Sequence, residues 1–308
     1  MRSARNLYRL NLGLATLGAV AAFAGSVVAL QRIRLSFGSL HGWLRDCDRF
    51  LLPHLTADRL AVLALGVLGA VVLARGVRSA IGQLRAARRV LRAVTIVGEH
   101  ELARQPVRII AGDTAQAFCM GLLRPRIYIS RGTVDRLAGP ELAAVIAHEA
   151  HHVRRRDPLR IAVLAVIADA LFFLPGLDRL KHRYQDLAEL AADEAAVTAV
   201  KSTAPLAGAL LQFDDGGLPG TVGVAAERVD HLLGTPPRWE VPVSILAGTI
   251  AIVGGLFAVI LLAASAPRGY VSLGGLATQA CMLTMAIAPI MMLASLALVG
   301  RRMIATAP

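Results

Sequence analysis

Four apolar stretches, about Leu12 to Leu30, Leu55 to Leu73, Val243 to Ala264 and Leu273 to Val299, constrain this chain more than any other feature. Each is close to the roughly 20 residues that a helix needs to cross a bilayer. In hydrocarbon every backbone N–H and C=O must be satisfied within the protein, so such stretches take helical form. Composition agrees: 56% of the 308 residues are hydrophobic, 18% are charged, and the mean hydropathy is +0.59. This is too apolar for an ordinary soluble domain. The net charge of +12 comes from arginines set beside apolar runs, with Lys181 and Lys201 the only lysines. That placement sets membrane orientation, and no recognition motif accompanies it, so direct nucleic-acid binding is not expected. Cys47, Cys119 and Cys281 are scattered and odd in number, and build neither a disulfide framework nor a Cys-x-x-Cys knuckle.

The first stretch follows Arg2, Arg5 and Arg9 and contains Ala22-Phe23-Ala24, which has the form of a signal-peptide cleavage site. The apolar run continues through Val27, Val28 and Leu30, so an uncleaved spanning helix is expected, with a cleaved signal peptide as the alternative. Residues Gln31 to Asp58, with Trp43 and Phe50, suit a loop or amphipathic segment at the lipid surface. Arg75, Arg78, Arg85, Arg88, Arg89 and Arg92 mark an inner flank after the second stretch. An inner N-terminus, an outer Ala266 to Ser272 loop and inner Arg301 and Arg302 complete the topology, while Arg32, Arg34, Arg45 and Arg49 of the first outer loop run against it. The chain then divides into an N-terminal transmembrane hairpin with its basic inner stretch (1–92), a cytoplasmic-facing domain (93–240) and a C-terminal transmembrane hairpin (241–308).

In the middle region Val107 to Ala111 and Arg126 to Ser130 read as short strands, rich in Val, Ile and Tyr. Gly139-Pro140 followed by Glu141 opens a helix, because Pro suits the first turn and acid suits the positive end of the dipole. The helix runs to about Arg155, where Asp157-Pro158 interrupts it. Ile161 to Leu174 is apolar, yet at about 14 residues it is too short to span. Asp169 within it would cost on the order of 3 kcal/mol at the bilayer centre. A buried or membrane-grazing helix is expected there.

His148-Glu149-Ala150-His151-His152 fits His-Glu-x-x-His on that predicted helix. Histidines at i and i+4 share one face, so His148 and His152 reach one zinc ion, and Glu149 acts as general base on the water that the metal activates. His151, at i+3, is the alternative second ligand. A catalytic zinc needs a third protein ligand. In the helical run Asp186 to Glu194, Glu189 and Asp193 lie four apart; Glu189 suits the third ligand, and Asp193 suits an acceptor that fixes the tautomer of a ligand histidine. Arg228 and His231, read mainly as a solvated helix face, are candidates to stabilise an oxyanion; His182 and Tyr184 are likewise read as solvated.

HEAHHVRRRD (His148 to Asp157) with Pro158-Leu159, GLLRPRIYIS (Gly121 to Ser130), LFFLP (Leu171 to Pro175) and ELAAD (Glu189 to Asp193) occur in the order seen in the BlaR/MecR antirepressor type of membrane zinc metallopeptidase. The chain resembles that family over about Val107 to Val197 and in its membrane hairpins. The resemblance implies a mainly α-helical membrane protein, with about four transmembrane helices flanking an α+β gluzincin-like zinc peptidase domain. It implies zinc on His148, His152 and Glu189, Glu149 as base, a multi-pass place in the cell membrane and an active site facing the cytoplasm. Its expected substrate is a DNA-binding repressor, or the protease itself; a homodimer is left open. The strand at Arg126 to Ser130 is expected to pair with extended substrate by strand addition. One departure concerns β-lactam sensing: neither Lys181 nor Lys201 follows a serine by three residues, so direct acylation by the antibiotic is not expected. The rival enzymatic reading is an HtpX-type quality-control peptidase, and the non-enzymatic one is a silent membrane receptor or scaffold.

Overall fold

The computed structural model describes residues 2–36, 57–213, 228, 243–267 and 269–272. The fourth apolar stretch, Leu273 to Val299, lies outside them, as do Trp43, His41, His54 and His231. In chain order the elements are α1 (Arg2–Arg32), β1 (Ile33–Ser36), α2 (Ala57–Ala93), β2 (Ile96–Leu102), β3 (Gln105–Ile110), β4 (Ala117–Met120), β5 (Arg126–Ser130), α3 (Arg131–Arg136), α4 (Gly139–Arg155), α5 (Asp157–Ala170), α6 (Leu177–Val200), α7 (Ala204–Gln212), α8 (Val243–Ser265) and β6 (Gly269–Ser272). Among the described residues three helices, α1, α2 and α8, are long and apolar enough to cross a membrane. The chain packs as two units, one of residues 1–21 and 70–255, the other of 22–69 and from 256 onward.

In the second unit Ala29, Leu65, Ile260 and Ala263 form the core between α1, α2 and α8. Arg32 ends α1 and spends its guanidinium on the end of α8: Nη1 donates to Ala266 O at 2.9 Å and Nη2 to Ala264 O. A cation there satisfies carbonyls that a helix end leaves open. Just beyond, β1 and β6 pair in parallel from Ile33 with Gly269 to Ser36 with Ser272. The alternation of apolar stretches puts these two loops on one side of the membrane, and nothing in either sequence marks them as paired strands.

The first unit holds a four-stranded sheet of order β2-β3-β5-β4, in which β3 and β5 are parallel and the outer pairs antiparallel. Val107, Ile109, Ile127 and Ile129 pack on Val145, Ile146 and Ala150 of α4. Tyr128 and Phe118 point the other way and stack at 5.4 Å, beside Val90 and Val94. This alternation is the period-two signature of strands. Both predicted strands are present, but β5 cannot take the substrate: β3 and β4 occupy its two edges. Among the described residues, the unpaired edge on that side belongs to β4.

α4 starts where the Gly139-Pro140 signal placed it, and Glu141 Oε2 accepts from Ala138 N at 2.9 Å, satisfying a donor at the helix start. It ends at Arg156, whose left-handed φ of 55° turns the chain into α5. α5, at 14 residues, is not among the membrane-length helices; Leu164 is fully buried against α1 and α6. α6 follows Gly176 at φ 84°, a conformation that favours glycine, and a Cβ there would also meet Ile245 at 2.6 Å. Along α6 Ala188, Ala191, Ala192 and Ala196 are all buried. Small side chains let α6 lie close to α4, which brings the two acid and histidine pairs together.

Candidate metal centre

α4 offers His148 and His152 one turn apart, with ring centroids at 4.9 Å and planes at 74°. α6 offers Glu189 and Asp193 in the same way. His148 and Asp193 are buried, while the Glu189 side chain keeps 41% exposure and opens the cluster outward. His148, His152 and Glu189 bring one ligand atom each within 4.8 Å of one another. His148 Nε2 and His152 Nε2 are 3.2 Å apart; Glu189 Oε2 is 3.4 Å from the first and Oε1 3.5 Å from the second.

The opposite nitrogens are both held by acids. His148 Nδ1 lies 2.9 Å from Asp193 Oδ1, off the ideal hydrogen-bond line, and His152 Nδ1 lies 2.9 Å from Asp157 Oδ2. Each acid has a support of its own. The Tyr184 hydroxyl donates to Asp157 Oδ1 at 2.8 Å. Arg228 donates to Asp193 through Nε at 2.8 Å and Nη2 at 2.6 Å, with Nη1 3.5 Å from Glu189 Oε2. Protons drawn to both Nδ1 atoms leave lone pairs on both Nε2 atoms, which face each other and a carboxylate. Three acceptors with no donor among them repel unless a cation sits between them. Tetrahedral zinc with bonds of about 2.0–2.2 Å requires ligand separations of about 3.3–3.5 Å. The Nε2–Nε2 separation of 3.2 Å is close to that requirement, and the Glu189 carboxylate turns one oxygen to each ring, Oε2 at 3.4 Å and Oε1 at 3.5 Å.

Burial pulls the His148 imidazole down, but Asp193 and Glu189 outweigh it and lift its pKa to about 10. Desolvation pushes the Glu189 carboxyl up, and His148, His152 and Arg228 bring it down to about 2. This mutual charging shows how strongly the acids favour positive charge at that point. Glu149 is only 2% exposed, and burial raises its pKa against the pull of His148 and His152. β4 packs on α4, with Ala117 in the core that Val145 and Ala150 share, and burial raises the Cys119 thiol there.

His151 stands outside the metal-binding group: burial and its neighbour His152 bring it down to about 4, and its buried Nε2 has no hydrogen-bond partner among the described residues. Two sequence expectations need correction. Tyr184 is fully buried, not solvated, because its hydroxyl is needed by Asp157. Arg228 is 4% exposed, not on a wet helix face, because its guanidinium neutralises the buried Asp193. Asp157 had been read only as a helix stop; its spacing of five from His152 was the available signal. His182 is exposed, pairing with Asp178 at 3.4 Å.

The sequence pattern of the family described as BlaR1 peptidase M56 matches residues 55–212, about half of the chain. The chain is also similar to a protease HtpX homolog of Trichormus variabilis, 41% identical over 70 residues, which is 22% of this chain and 24% of that protein. A protease HtpX homolog of Acidiphilium cryptum is 37% identical over 73 residues, 23% of this chain and 25% of that one. The match thus spans about a quarter of these curated relatives.

Proposed function

The chain belongs to the BlaR1 peptidase M56 family, and from that premise we propose that it is a membrane-embedded zinc endopeptidase that cleaves a cytoplasmic transcriptional repressor, or itself, in signalling. The observation that carries this reading is the convergence of both Nε2 atoms and the Glu189 carboxylate, one ligand atom of each within 4.8 Å of the others, with an acid behind each histidine. A structural site has no use for the buried carboxyl of Glu149 beside such a cluster. His148, His152 and Glu189 hold the metal, and Asp193 and Asp157 orient the two rings. When bound, zinc polarises the scissile carbonyl and lowers the pKa of water toward about 7. Glu149 accepts the proton of the attacking water and passes it to the leaving nitrogen. Substrate lies extended along the free edge of β4, its backbone continuing the sheet. The positive-inside pattern supports a cytoplasmic site, since α2 leaves the membrane with six arginines after Leu73.

Glu149→Gln keeps the shape of the side chain and removes the base. The full chain in detergent is expected to hold one zinc in both forms, while Glu149→Gln cuts turnover of a co-purified repressor by about 10²–10⁴-fold. Equal turnover in the two forms would end the mechanism. A chelator is expected to abolish cleavage and zinc to restore it. The 41% identity to an HtpX homolog favours a second reading, a quality-control peptidase with many membrane substrates. A survey of cleaved proteins in cells separates the two: one regulator supports the first, and many unrelated membrane proteins the second.

A further inference from the structure

At about 1.5 Å per residue, the 37 residues of α2 extend far beyond a hydrocarbon core of about 30 Å. One side of the extension is committed to the protein. Val72 joins the core of α1, α5 and α6, and Val90 packs beside Phe118 and Tyr128. Arg75 Nε donates to Asp169 O at 2.8 Å, and Ser79 Oγ to Asp169 Oδ2 at 2.5 Å. At 3.6 residues per turn these four share one side, so Leu73, Val77, Ile81 and Leu84 fall on the opposite one, where they are exposed. Arg78, Arg85 and Arg89 form a row along the border of that apolar stripe, all exposed and without an ion-pair partner among the described residues. These arginines and Leu73, Val77 and Ile81 form one continuous open face of α2, with the small Ala70, Ala74 and Gly82 between them. The only acid in α2 is Asp58, at the far end.

A second copy of this face is a poor occupant, since Arg88 interrupts the apolar stripe and like charges would meet. The occupant must be apolar at one end and anionic at the other, and the bilayer delivers such a molecule at this height. Twenty residues from Ala57 bring the helix to Val77 and consume the hydrocarbon thickness, so Arg78 stands at the boundary and Arg85 about 10 Å beyond. We propose that this face binds an acidic phospholipid of the leaflet from which α2 emerges, with an acyl chain along Leu73 and Val77, the phosphate on Arg78, and the positive field of Arg85 and Arg89 beyond it favouring an anionic headgroup. Each arginine beside an anionic headgroup contributes roughly a five-fold preference.

Native mass spectrometry of the full chain in detergent, titrated with phosphatidylglycerol or with phosphatidylcholine of the same acyl chains, tests this. Phosphatidylglycerol is expected to be retained at least about ten-fold better. The combined change Arg78→Gln, Arg85→Gln and Arg89→Gln should remove the preference, and the three corresponding lysine changes, which keep the charge and guard against misfolding, should keep most of it. Arg124→Gln with Arg131→Gln, a loss of charge elsewhere, should leave it intact. Equal retention of the two lipids, or a preference that survives the triple glutamine change, overturns the proposal. So does displacement of the lipid by millimolar inorganic phosphate, which would make this a phosphate site without a lipid. Binding of an acidic helical peptide with no lipid preference would assign the face to a protein partner instead.

Discussion

His148 and His152 are the same residue one turn apart, and what distinguishes them is the acid behind each. Asp157 is backed by a hydrogen-bonded phenol with Arg155 at 3.8 Å, whereas Asp193 is backed by a buried guanidinium at 2.6 Å that reaches Glu189 as well. Losing the acid therefore has unequal consequences. Asp157→Asn and Asp193→Asn are each expected to weaken zinc about 10–100-fold, since an amide no longer fixes the ring's proton; competition with a fluorescent chelator measures this. Asp193→Asn should also destabilise the fold, because it takes from the buried Arg228 the carboxylate that two of its nitrogens hold, and breaking a buried ion pair costs about 3–5 kcal/mol. Asp157→Asn gives up only the longer, 3.8 Å ion pair with the partly exposed Arg155 and should unfold closer to wild type at saturating zinc. Equal thermal unfolding of the two variants in one detergent would mean that Arg228 is not needed to neutralise Asp193.

At the scale of elements, β4 depends on a polar knot at the end of β5. Ser130 Oγ caps α3 by accepting from Thr133 N at 3.1 Å and donates to Thr114 O at 2.7 Å; Gln116 N donates to Thr133 Oγ1 at 2.7 Å. Gly132 N donates to Gly112 O at 2.9 Å, and a Cβ on Gly132 would strike the Asp113 carbonyl. Gly132→Ala must push the 112–116 loop away and shift the start of β4. The expected result is a loss of about 1–3 kcal/mol in stability, with a raised KM for an extended peptide and little change in zinc content. An unchanged KM would remove β4 from substrate binding. The helices that carry the metal site were legible because their signals are local: Gly139-Pro140, Asp157-Pro158, and four-residue spacing in both acid and histidine pairs. β2 and β4 were not, because β2 is mostly exposed and β4 has only four residues, so neither shows a clear apolar period. Strand order is a tertiary property, which is why β5 looked available as an edge. Tyr184 and Arg228 were misread for the same reason: what buries them comes from other elements.

The whole molecule sets a limit on how far the peptidase can be separated from its membrane helices. The start of α1 belongs to the same unit as the metal centre. Leu7 is fully buried, Ala4 and Asn11 nearly so, in the cluster formed by Leu164, Leu177 and Leu180. Tyr8 lies 5.4 Å from Tyr184, the residue that holds Asp157, and Arg160 sits 5.3 Å over the Tyr8 ring. Cutting at residue 93 therefore strips more than an anchor: it uncovers the back of α6 and one face of Tyr184. Leu7→Ala alone is expected to cost about 2–5 kcal/mol, the usual range for emptying a packed leucine site. A fragment of residues 93–240 should accordingly fail to give a soluble monomer that binds zinc, while the full chain in detergent does. Light scattering and metal analysis on the two preparations decide it. A monodisperse, zinc-loaded fragment would mean that α1 only tethers the peptidase, and that the route from Tyr8 through Tyr184 and Asp157 to His152 carries no stability to the site.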